Sequence, residues 1–371
     1  MTTQHQTLSK ALSRGVSYLD ITPTMFREAT EHYRAIAGTL QSHGLDADIK
    51  PYGSFGTGTV VRPSTDEGTG SYYDLDILAE CHRDECGWTT PSSLREEVDG
   101  ILEDDGTYAK MIEGSTHQCV TLAYAETDSR PAFRLDLSSG VHMDLPLGTD
   151  VAFAEEAVNL AWIDPDEWKG SNPKGLCKWF NDQNPRFRVY GLEARRKSLF
   201  EENPGAYASV EEIPEDMDRS ALQRAVQVVK RSRDIYYRRA REDRAPSSCA
   251  LMVLVTRFAE MLPQSSDVTT IVESFVEGCQ AMRDGRFAIP NPAYPEDLAA
   301  NWEQEKVDRF FNWIDELKLN LQADLSDSAK RDAAIDAILG SGTSDRLVRD
   351  KIFDPAPEPV RINRNVKPWR L

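Results

Sequence analysis

Short apolar runs separated by clusters of Gly, Ser and Thr fill the part of the chain between residues 51 and 165. This pattern predicts strands joined by turns. We predict strands over residues 59–62, 74–80, 120–125, 133–137 and 141–145. The small polar residues 138–140 are then predicted to form a hairpin loop between the last two strands.

Apolar residues recur at helical spacing from Asp166 onward, which predicts helices over residues 220–244, 249–261, 268–282 and 297–321. Another helix is predicted over residues 25–40, because Thr22 can cap it and Pro23 suits its first turn. The fold class predicted is therefore α+β. A mixed-sheet domain with an N-terminal helix spans residues 1–165, a helical domain spans 166–353, and an extended or mobile tail spans 354–371.

Composition and charge exclude several classes of protein. The 371 residues carry 43 Lys or Arg and 61 Asp or Glu, for a net charge of −18, and 40% of them are hydrophobic. This composition is that of a globular protein, and the acidic surface opposes binding to a long nucleic acid. No apolar run approaches the roughly 20 residues of a membrane span, and no secretion signal is visible. We therefore expect a cytoplasmic protein with no membrane partner.

The cysteines offer one weak alternative. Cys81, His82 and Cys86 have the residue types of half a zinc site, but no second pair follows at a suitable spacing. We interpret the six scattered cysteines as reduced thiols.

Two carboxylates stand out in the predicted strand over residues 74–80. Asp74 and Asp76 share one face because side chains alternate along a strand, while Leu75 and Ile77 point to the other face. Adjacent carboxylates repel each other unless a cation lies between them, and Mg²⁺ is an oxygen-liganded cation that accompanies phosphates. A solvated acidic strand face is the ordinary alternative.

A glycine-rich loop lies upstream of this pair. Gly53, Gly56 and Gly58 lie within six residues, so backbone N–H groups there can approach phosphate oxygens closely. The loop is not a Walker A motif, because no Lys follows Gly58, and its spacing differs from the dinucleotide fingerprint. A loop of this kind beside an acidic pair indicates a phosphate-handling site more specifically than either feature alone. A third carboxylate, from Asp144 or from Asp136, would suit two-metal transfer to a hydroxyl.

These residues resemble a known family. Gly53-Ser54, Asp74-Leu75-Asp76 and Asp144 resemble the catalytic motif of the polymerase-β-like nucleotidyltransferases. The extended stretches 53–63, 141–146, 171–180 and 222–234 are more similar to the bacterial cGAS/DncV-like branch, the SMODS-type CD-NTases of CBASS anti-phage systems. With Asn291, Pro292 and Trp302 the resemblance spans about residues 20–315.

The resemblance implies a fold, substrates and site residues. It implies a polymerase-β-like mixed-sheet domain packed on a helical domain as a two-lobed cage, with NTP substrates, ATP among them, and Mg²⁺ or Mn²⁺. It also selects Asp144 over Asp136, although the segment 133–139 keeps Asp136 as a competitor. The catalytic and metal-binding residues it implies are Asp74, Asp76 and Asp144, and the nucleotide-binding residues are Gly53, Ser54, Lys230 and Ser248.

Two features depart from the family pattern. Between Ser54 and Asp74 lie 19 residues, more than in the superfamily at large, and Ser232 stands where a His is expected. The helix around Lys230 is rich in cations, which would attract a triphosphate into a cleft. The alternative for Lys230 is a solvated helix face with an i,i+4 ion pair to Asp234.

The function implied is a metal-dependent nucleotidyltransferase that joins NTPs into a cyclic di- or trinucleotide second messenger for anti-phage defence and releases pyrophosphate. Two alternatives remain: a transferase that makes linear oligonucleotides or RNA tails, and a catalytically inactive nucleotide-binding sensor. The intact carboxylates argue against the sensor. We expect a monomer that binds no long nucleic acid, with a regulatory or conjugating protein as a further candidate partner.

Overall fold

The protein is described by a computed structural model over residues 3–63, 72–82, 88, 90–126, 132–187, 219–242, 244–350 and 352. Within these ranges it forms one seven-stranded sheet. The strands are β1 (Ala47–Pro51), β2 (Tyr72–Cys81), β3 (Ile112–Ser115), β4 (Cys119–Tyr124), β5 (Ala132–His142), β6 (Val158–Ile163) and β7 (Asp166–Ser171). The helices are α1 (Thr3–Gly15), α2 (Pro23–Ser42), α3 (Gly53–Gly56), α4 (Pro91–Asp104), α5 (Pro173–Gln183), α6 (Ala221–Ala240), α7 (Ser248–Ala259), α8 (Val268–Ala281), α9 (Gln304–Leu321), α10 (Ser328–Leu339) and α11 (Thr343–Arg349).

The sheet is mixed, with strand order β1-β2-β5-β4-β3 and a hairpin of β6 and β7 attached to the end of β5. Strands β2 and β5 run parallel, and the other pairs are antiparallel. Leu75 and Ile77 of β2 pack in one core with Met25 of α2 and Leu94 of α4. Because side chains alternate along β2, its acidic residues lie on the opposite face.

The helices from α6 onward form a second core around α6, whose Ala225, Val226 and Val229 are completely buried. Leu8 and Leu12 of α1 pack into this core as well. The N-terminal helix, predicted as part of the sheet domain, therefore packs against the helical lobe. None of the described helices is long and apolar enough to cross a membrane.

The α+β class and the main helices are confirmed, and the cap of α2 is the predicted one. The Thr22 side chain accepts a hydrogen bond from the Met25 N–H, and Pro23 opens the helix. The predicted strand over residues 59–62 is not a strand; side chains of α6 hydrogen-bond to its backbone instead. The predicted tail over residues 354–371 lies outside the described part of the chain.

The hairpin predicted at residues 138–140 is wrong. These residues continue β5, which pairs with β2 without a break from Ala132 to Val141. Ser139 is completely buried, and Gly140 is required because a Cβ atom there would lie 2.6 Å from the Asn159 carbonyl oxygen of β6. The small residues allow close strand approach rather than a turn.

The sheet also extends further along the chain than predicted. Strand β7 pairs with β6 from Asp166 to Ser171, so the predicted division after residue 165 falls inside a hairpin. Its sequence, DEWKGS, has no buried residue and so lacks the apolar alternation by which a strand is recognised.

One buried amide joins the two lobes. The Asn172 side-chain oxygen caps α5 by accepting from the Gly175 N–H at 2.8 Å. Its amide nitrogen donates to the carbonyls of Phe153 and Ala293, at 2.8 and 2.9 Å, in the two lobes. Asn172 is 1% exposed, so water cannot replace these bonds.

We expect Asn172→Ala to destabilise the protein by about 2–4 kcal/mol, because it removes a helix cap and leaves two buried carbonyl oxygens without donors. The melting temperature should fall by roughly 5–10 °C in a thermal unfolding assay. Asn312→Ala, on the exposed surface of α9, is the matched control and should leave it within about 2 °C. Equal melting temperatures for the two variants would contradict the role of Asn172.

Candidate active site

A cleft of about 460 Å³ opens between the sheet and the helical lobe. Its volume is in the range of small-molecule sites. All predicted site residues except Asp144 line it: Gly53, Ser54, Asp74, Asp76, Lys230 and Ser248. Residues that the sequence analysis did not select also line it, among them Tyr72, Asn172, Cys177, Arg233, Asp234, Asn291 and Glu296.

The glycine loop, residues 53–59, lies directly against β2. The Tyr52 N–H donates to the Asp76 carbonyl at 2.9 Å. Gly53 has a φ of +58°, and a Cβ atom there would lie 2.1 Å from Oδ2 of Asp76. Only glycine fits this conformation and this approach. The close contact places the backbone of Gly53 and Ser54 beside the Asp76 carboxylate.

Helix α6 holds the glycine loop from the other lobe through three side chains, which we call the anchor face: Gln223, Gln227 and Lys230. These residues are spaced by four and three positions and therefore lie on one side of the helix. Their side-chain nitrogens donate to the carbonyls of Thr57, Val60 and Thr59, at 2.8, 2.7 and 3.1 Å respectively. At Gly58, with a φ of +66°, a Cβ atom would lie 2.5 Å from Nε2 of Gln223.

Lys230 is buried at 7% exposure and still lines the cleft. Burial lowers the pKa of its ammonium group to about 8, helped by nearby Arg233 and opposed by nearby carboxylates. Asp234, the partner expected for a solvated helix face, instead lies 2.6 Å from Nη2 of Arg233. The position of Lys230 is therefore that of a buried cation facing the cleft.

The other cations of this helix serve the structure. Arg224 bonds to Asp20 and Arg239 bonds to Glu316, and beyond the end of the helix Arg244 bonds to Glu305. Ser232, the position where a His was expected, accepts a hydrogen bond from the buried Trp313 indole at 3.2 Å. Position 232 therefore belongs to the helical core.

The paired carboxylates lie in an environment that disfavours their charge. Asp76 is partly buried, whereas the side chain of Asp74 is exposed to the cleft, which both residues line. Burial, followed by the charge of Asp136, raises the pKa of Asp74 to about 6. Burial, followed by the charges of Asp74 and Asp136, raises the pKa of Asp76 to about 7. A bound cation would relieve this repulsion.

The third carboxylate on this face is Asp136. It is the direct partner of Asp76 in the parallel register of β2 and β5, and Thr121 donates to its Oδ1 at 2.6 Å. The structure does not bring Asp144 to this face: Asp144 lies beyond the end of β5 with its side chain 100% exposed, 3.4 Å from His142. Because β5 does not turn at residues 138–140, Asp136 is the carboxylate level with Asp76.

One signal in the sequence favoured Asp136. Phe133, Leu135 and Leu137 alternate with Arg134 and Asp136, and Ser139 and Val141 continue the buried phase without interruption. Within the described ranges no three His, Cys, Asp or Glu side chains form a preassembled metal site. The three aspartates share a face but are not gathered around one point.

Ser248 lies at the start of α7 and is held by Arg233, whose Nη1 donates to it at 3.2 Å. The same Nη1 donates to the Pro246 carbonyl at 2.8 Å, so Arg233 fixes this edge of the cleft.

The described residues do not support the zinc alternative: Cys81 is buried, and His82 bonds to Asp46 at 2.7 Å. Cys86 lies outside them.

No protein-family model matches the chain. Two curated relatives do. A c-di-GMP synthase of Roseivirga ehrenbergii is 27% identical over 320 residues, covering 84% of this chain and 77% of the relative. The cyclic dinucleotide synthase CdnG of Bradyrhizobium diazoefficiens is 24% identical over 310 residues, covering 78% of this chain and 68% of the relative.

Solved structures show the same architecture. The CD-NTase CdnG of Bradyrhizobium diazoefficiens, solved in complex with GTP, aligns with a TM-score of 0.70 and 20% identity, covering 92% of this chain and 96% of that one. Apo DncV of Vibrio cholerae aligns with a TM-score of 0.54 and 16% identity, covering 91% and 85%. The likeness in sequence and the shared fold both extend over most of the chain. In sequence and in fold the chain is therefore similar to the bacterial cGAS/DncV-like nucleotidyltransferases, the CD-NTases.

Proposed function

We propose that this protein is a cyclic dinucleotide synthase that joins NTPs by attack of a ribose hydroxyl on an α-phosphate, with release of pyrophosphate. The observation that carries the proposal is the convergence of three groups from distant parts of the chain in one cleft. A glycine loop, two carboxylates of β2 and the buried Lys230 of α6 all line it. These are the groups that phosphoryl chemistry needs for positioning and charge stabilisation.

GTP is the first substrate to test. The relatives named above are a c-di-GMP synthase and CdnG, and CdnG was solved with GTP. This supports a dinucleotide product over a trinucleotide. ATP, expected from the family resemblance, remains the second substrate to test.

The donor set fits Mg²⁺ or Mn²⁺. The carboxylates of Asp74 and Asp76 are hard oxygen ligands, their charge is disfavoured without a cation, and Asp136 lies beside them. We propose that these three residues hold the metal ions in place of the set that included Asp144. A metal ion bound there would neutralise phosphate charge and lower the pKa of the attacking hydroxyl.

The remaining groups act on the donor nucleotide. The backbone N–H groups at Gly53 and Ser54 bind phosphate oxygens, since a loop at positive φ turns such groups toward an anion. Lys230 pairs with the triphosphate from the helical side, and Ser248 adds a hydroxyl at the same edge. Asp136 orients the attacking hydroxyl and accepts its proton at a carboxylate oxygen.

The alternatives make different products. A tailing enzyme needs a path and a basic track for a growing chain. Here three cations of α6, Arg224, Arg233 and Arg239, bond to carboxylates of the protein, and the net charge is −18. A catalytically inactive sensor would not need three carboxylates that repel each other, which argues against this alternative.

The metal site should be visible in stability measurements. The folded-state pKa values of Asp74 and Asp76 lie above the ordinary value near 3.9, so the folded protein binds more protons. Without metal, their contribution to stability should be lost as pH rises from about 4 to about 7. Mg²⁺ should then raise the melting temperature by several degrees at pH 8 and by much less at pH 5.

The double variant Asp74→Asn/Asp76→Asn should abolish this Mg²⁺ effect and be at least as stable as the wild type at pH 8. Its matched control is Asp46→Asn/Asp48→Asn, which removes two exposed carboxylates at the same spacing. The control should keep the Mg²⁺ effect. If Mg²⁺ raised the melting temperature of the Asp74/Asp76 variant as much as that of the wild type, the metal site could not lie on this face.

The proposed role of Asp136 as the third carboxylate leads to opposite expectations for two single variants. Asp136→Asn should lower the rate of nucleotide transfer by at least about a hundredfold, because it removes a charge from the reacting face. Asp144→Asn should stay within about threefold of the wild type, since Asp144 is fully exposed. Initial rates of pyrophosphate release at matched protein concentrations decide between them. An inactive Asp144 variant beside an active Asp136 variant would restore the original assignment.

Product analysis tests the function itself. The protein is incubated with GTP, ATP or both, with Mg²⁺ or Mn²⁺, treated with phosphatase and analysed by mass spectrometry. We expect a phosphatase-resistant product with the mass of a cyclic dinucleotide, absent with Asp74→Asn/Asp76→Asn. A ladder of linear products would establish the tailing alternative. Nucleotide binding without any product under these conditions would favour the sensor.

The proposal extends to the cellular role that the family resemblance implies, a cytoplasmic enzyme in anti-phage defence. Plating phage on cells that carry the wild-type system or the Asp74→Asn/Asp76→Asn variant tests it, and equal plaque counts would contradict it. A conjugating or regulatory partner and a monomeric state are retained as expectations.

A further inference from the structure

Tyr72 is an aromatic side chain exposed inside a polar cleft. It is 40% exposed, one of five large apolar side chains in the described ranges that are exposed. It lines the same cleft as the aspartates.

The ring is held in place from the neighbouring strand. The Arg134 guanidinium lies 3.6 Å from the centroid of the Tyr72 ring, and Glu113 of β3 bonds to Arg134 at 2.8 Å. Tyr72 and Arg134 are not direct register partners, since Arg134 lies opposite Asp74. The guanidinium therefore reaches along the sheet to cover the ring, and the two planar groups form a fixed stack at the edge of the cleft.

The position of this stack along β2 is informative. Tyr72, Asp74 and Asp76 are alternate residues and lie on one face at steps of about 6.6 Å. The glycine loop contacts the Asp76 end of this row, through Gly53. The donor triphosphate is proposed to bind at that end. In an in-line displacement the attacking group approaches opposite the leaving pyrophosphate, which is the Asp74 and Tyr72 end.

We propose that Tyr72, backed by Arg134, is the stacking platform for the base of the acceptor nucleotide, the one whose ribose hydroxyl attacks. The inference rests on the proposed function and assigns the second nucleotide subsite. A step of about 6.6 Å from Tyr72 to Asp74 suits a base on the ring with its ribose at the carboxylates. Stacking accepts any base, so this platform supplies affinity and position rather than base selectivity.

The test separates acceptor from donor by chemistry. Dideoxy-GTP has no ribose hydroxyl and acts only as a donor, whereas GMP has no triphosphate and acts only as an acceptor. Base stacking on an aromatic side chain contributes about 1–3 kcal/mol, which corresponds to roughly five- to hundredfold in affinity. We expect Tyr72→Ala to raise KM for GMP by this factor and to leave KM for dideoxy-GTP within about twofold.

Three variants control the measurement. Tyr72→Phe keeps the ring and should behave as the wild type. Tyr236→Ala removes another tyrosine that stacks with an arginine, Arg239 at 5.6 Å, but lies outside the cleft, and should change neither KM. Lys230→Ala should show the opposite pattern, with KM raised for the donor. A Tyr72→Ala variant that shifts the donor KM, or neither KM, overturns the inference.

A binding measurement keeps the inference distinguishable from the proposed function. The fluorescence of 2-aminopurine riboside monophosphate is quenched when its base stacks on an aromatic ring. We expect quenching with the wild type and Tyr72→Phe, and its loss with Tyr72→Ala. Quenching that depends on Tyr72 without any turnover would support the stacking platform and contradict the proposed synthase activity. Turnover with equal quenching in all variants would support the synthase activity and contradict the platform.

Discussion

The site depends on hydrogen bonds from one helix of the helical lobe to the backbone of a loop in the sheet lobe. The anchor face of α6 donates to three carbonyls between Thr57 and Val60, a stretch that takes part in no strand. Buried carbonyls without donors would be costly, so the loop and the helix stabilise each other. The same contacts bring Lys230 to the cleft, and the aspartates and the cation therefore face each other across a fixed distance.

Glycine is what allows this arrangement at two points. Gly53 and Gly58 both adopt positive φ, and a Cβ atom at either would strike Asp76 or Gln223. The first contact sets the loop beside the carboxylates, and the second sets it beside the anchor face. The loop is therefore confined between the carboxylates of β2 and the anchor face, in which Lys230 is the cation.

The fold holds Asp74 and Asp76 close together although their negative charges repel each other. Their pKa values are raised because burial and mutual repulsion disfavour the charged forms. Apolar residues on the reverse face of β2 hold the strand in the core, so the sheet keeps the carboxylates together without a cation. Carboxylates with perturbed pKa values in a cleft mark a candidate functional site, and here they lie beside the glycine loop.

The sequence by itself determined the α+β class, the α2 cap, the Asp74/Asp76 face and the cleft residues of the loop and of α6, because alternation, capping and glycine spacing are local properties. The tertiary structure decided what depends on distant pairing. Residues 138–140 look like a turn locally, but parallel pairing with β2 and the approach of β6 keep them extended, and this makes Asp136 the neighbour of Asp76. The polar strand β7, the place of α1 against the helical core and the Tyr72–Arg134 stack were also set by packing between segments far apart in the chain.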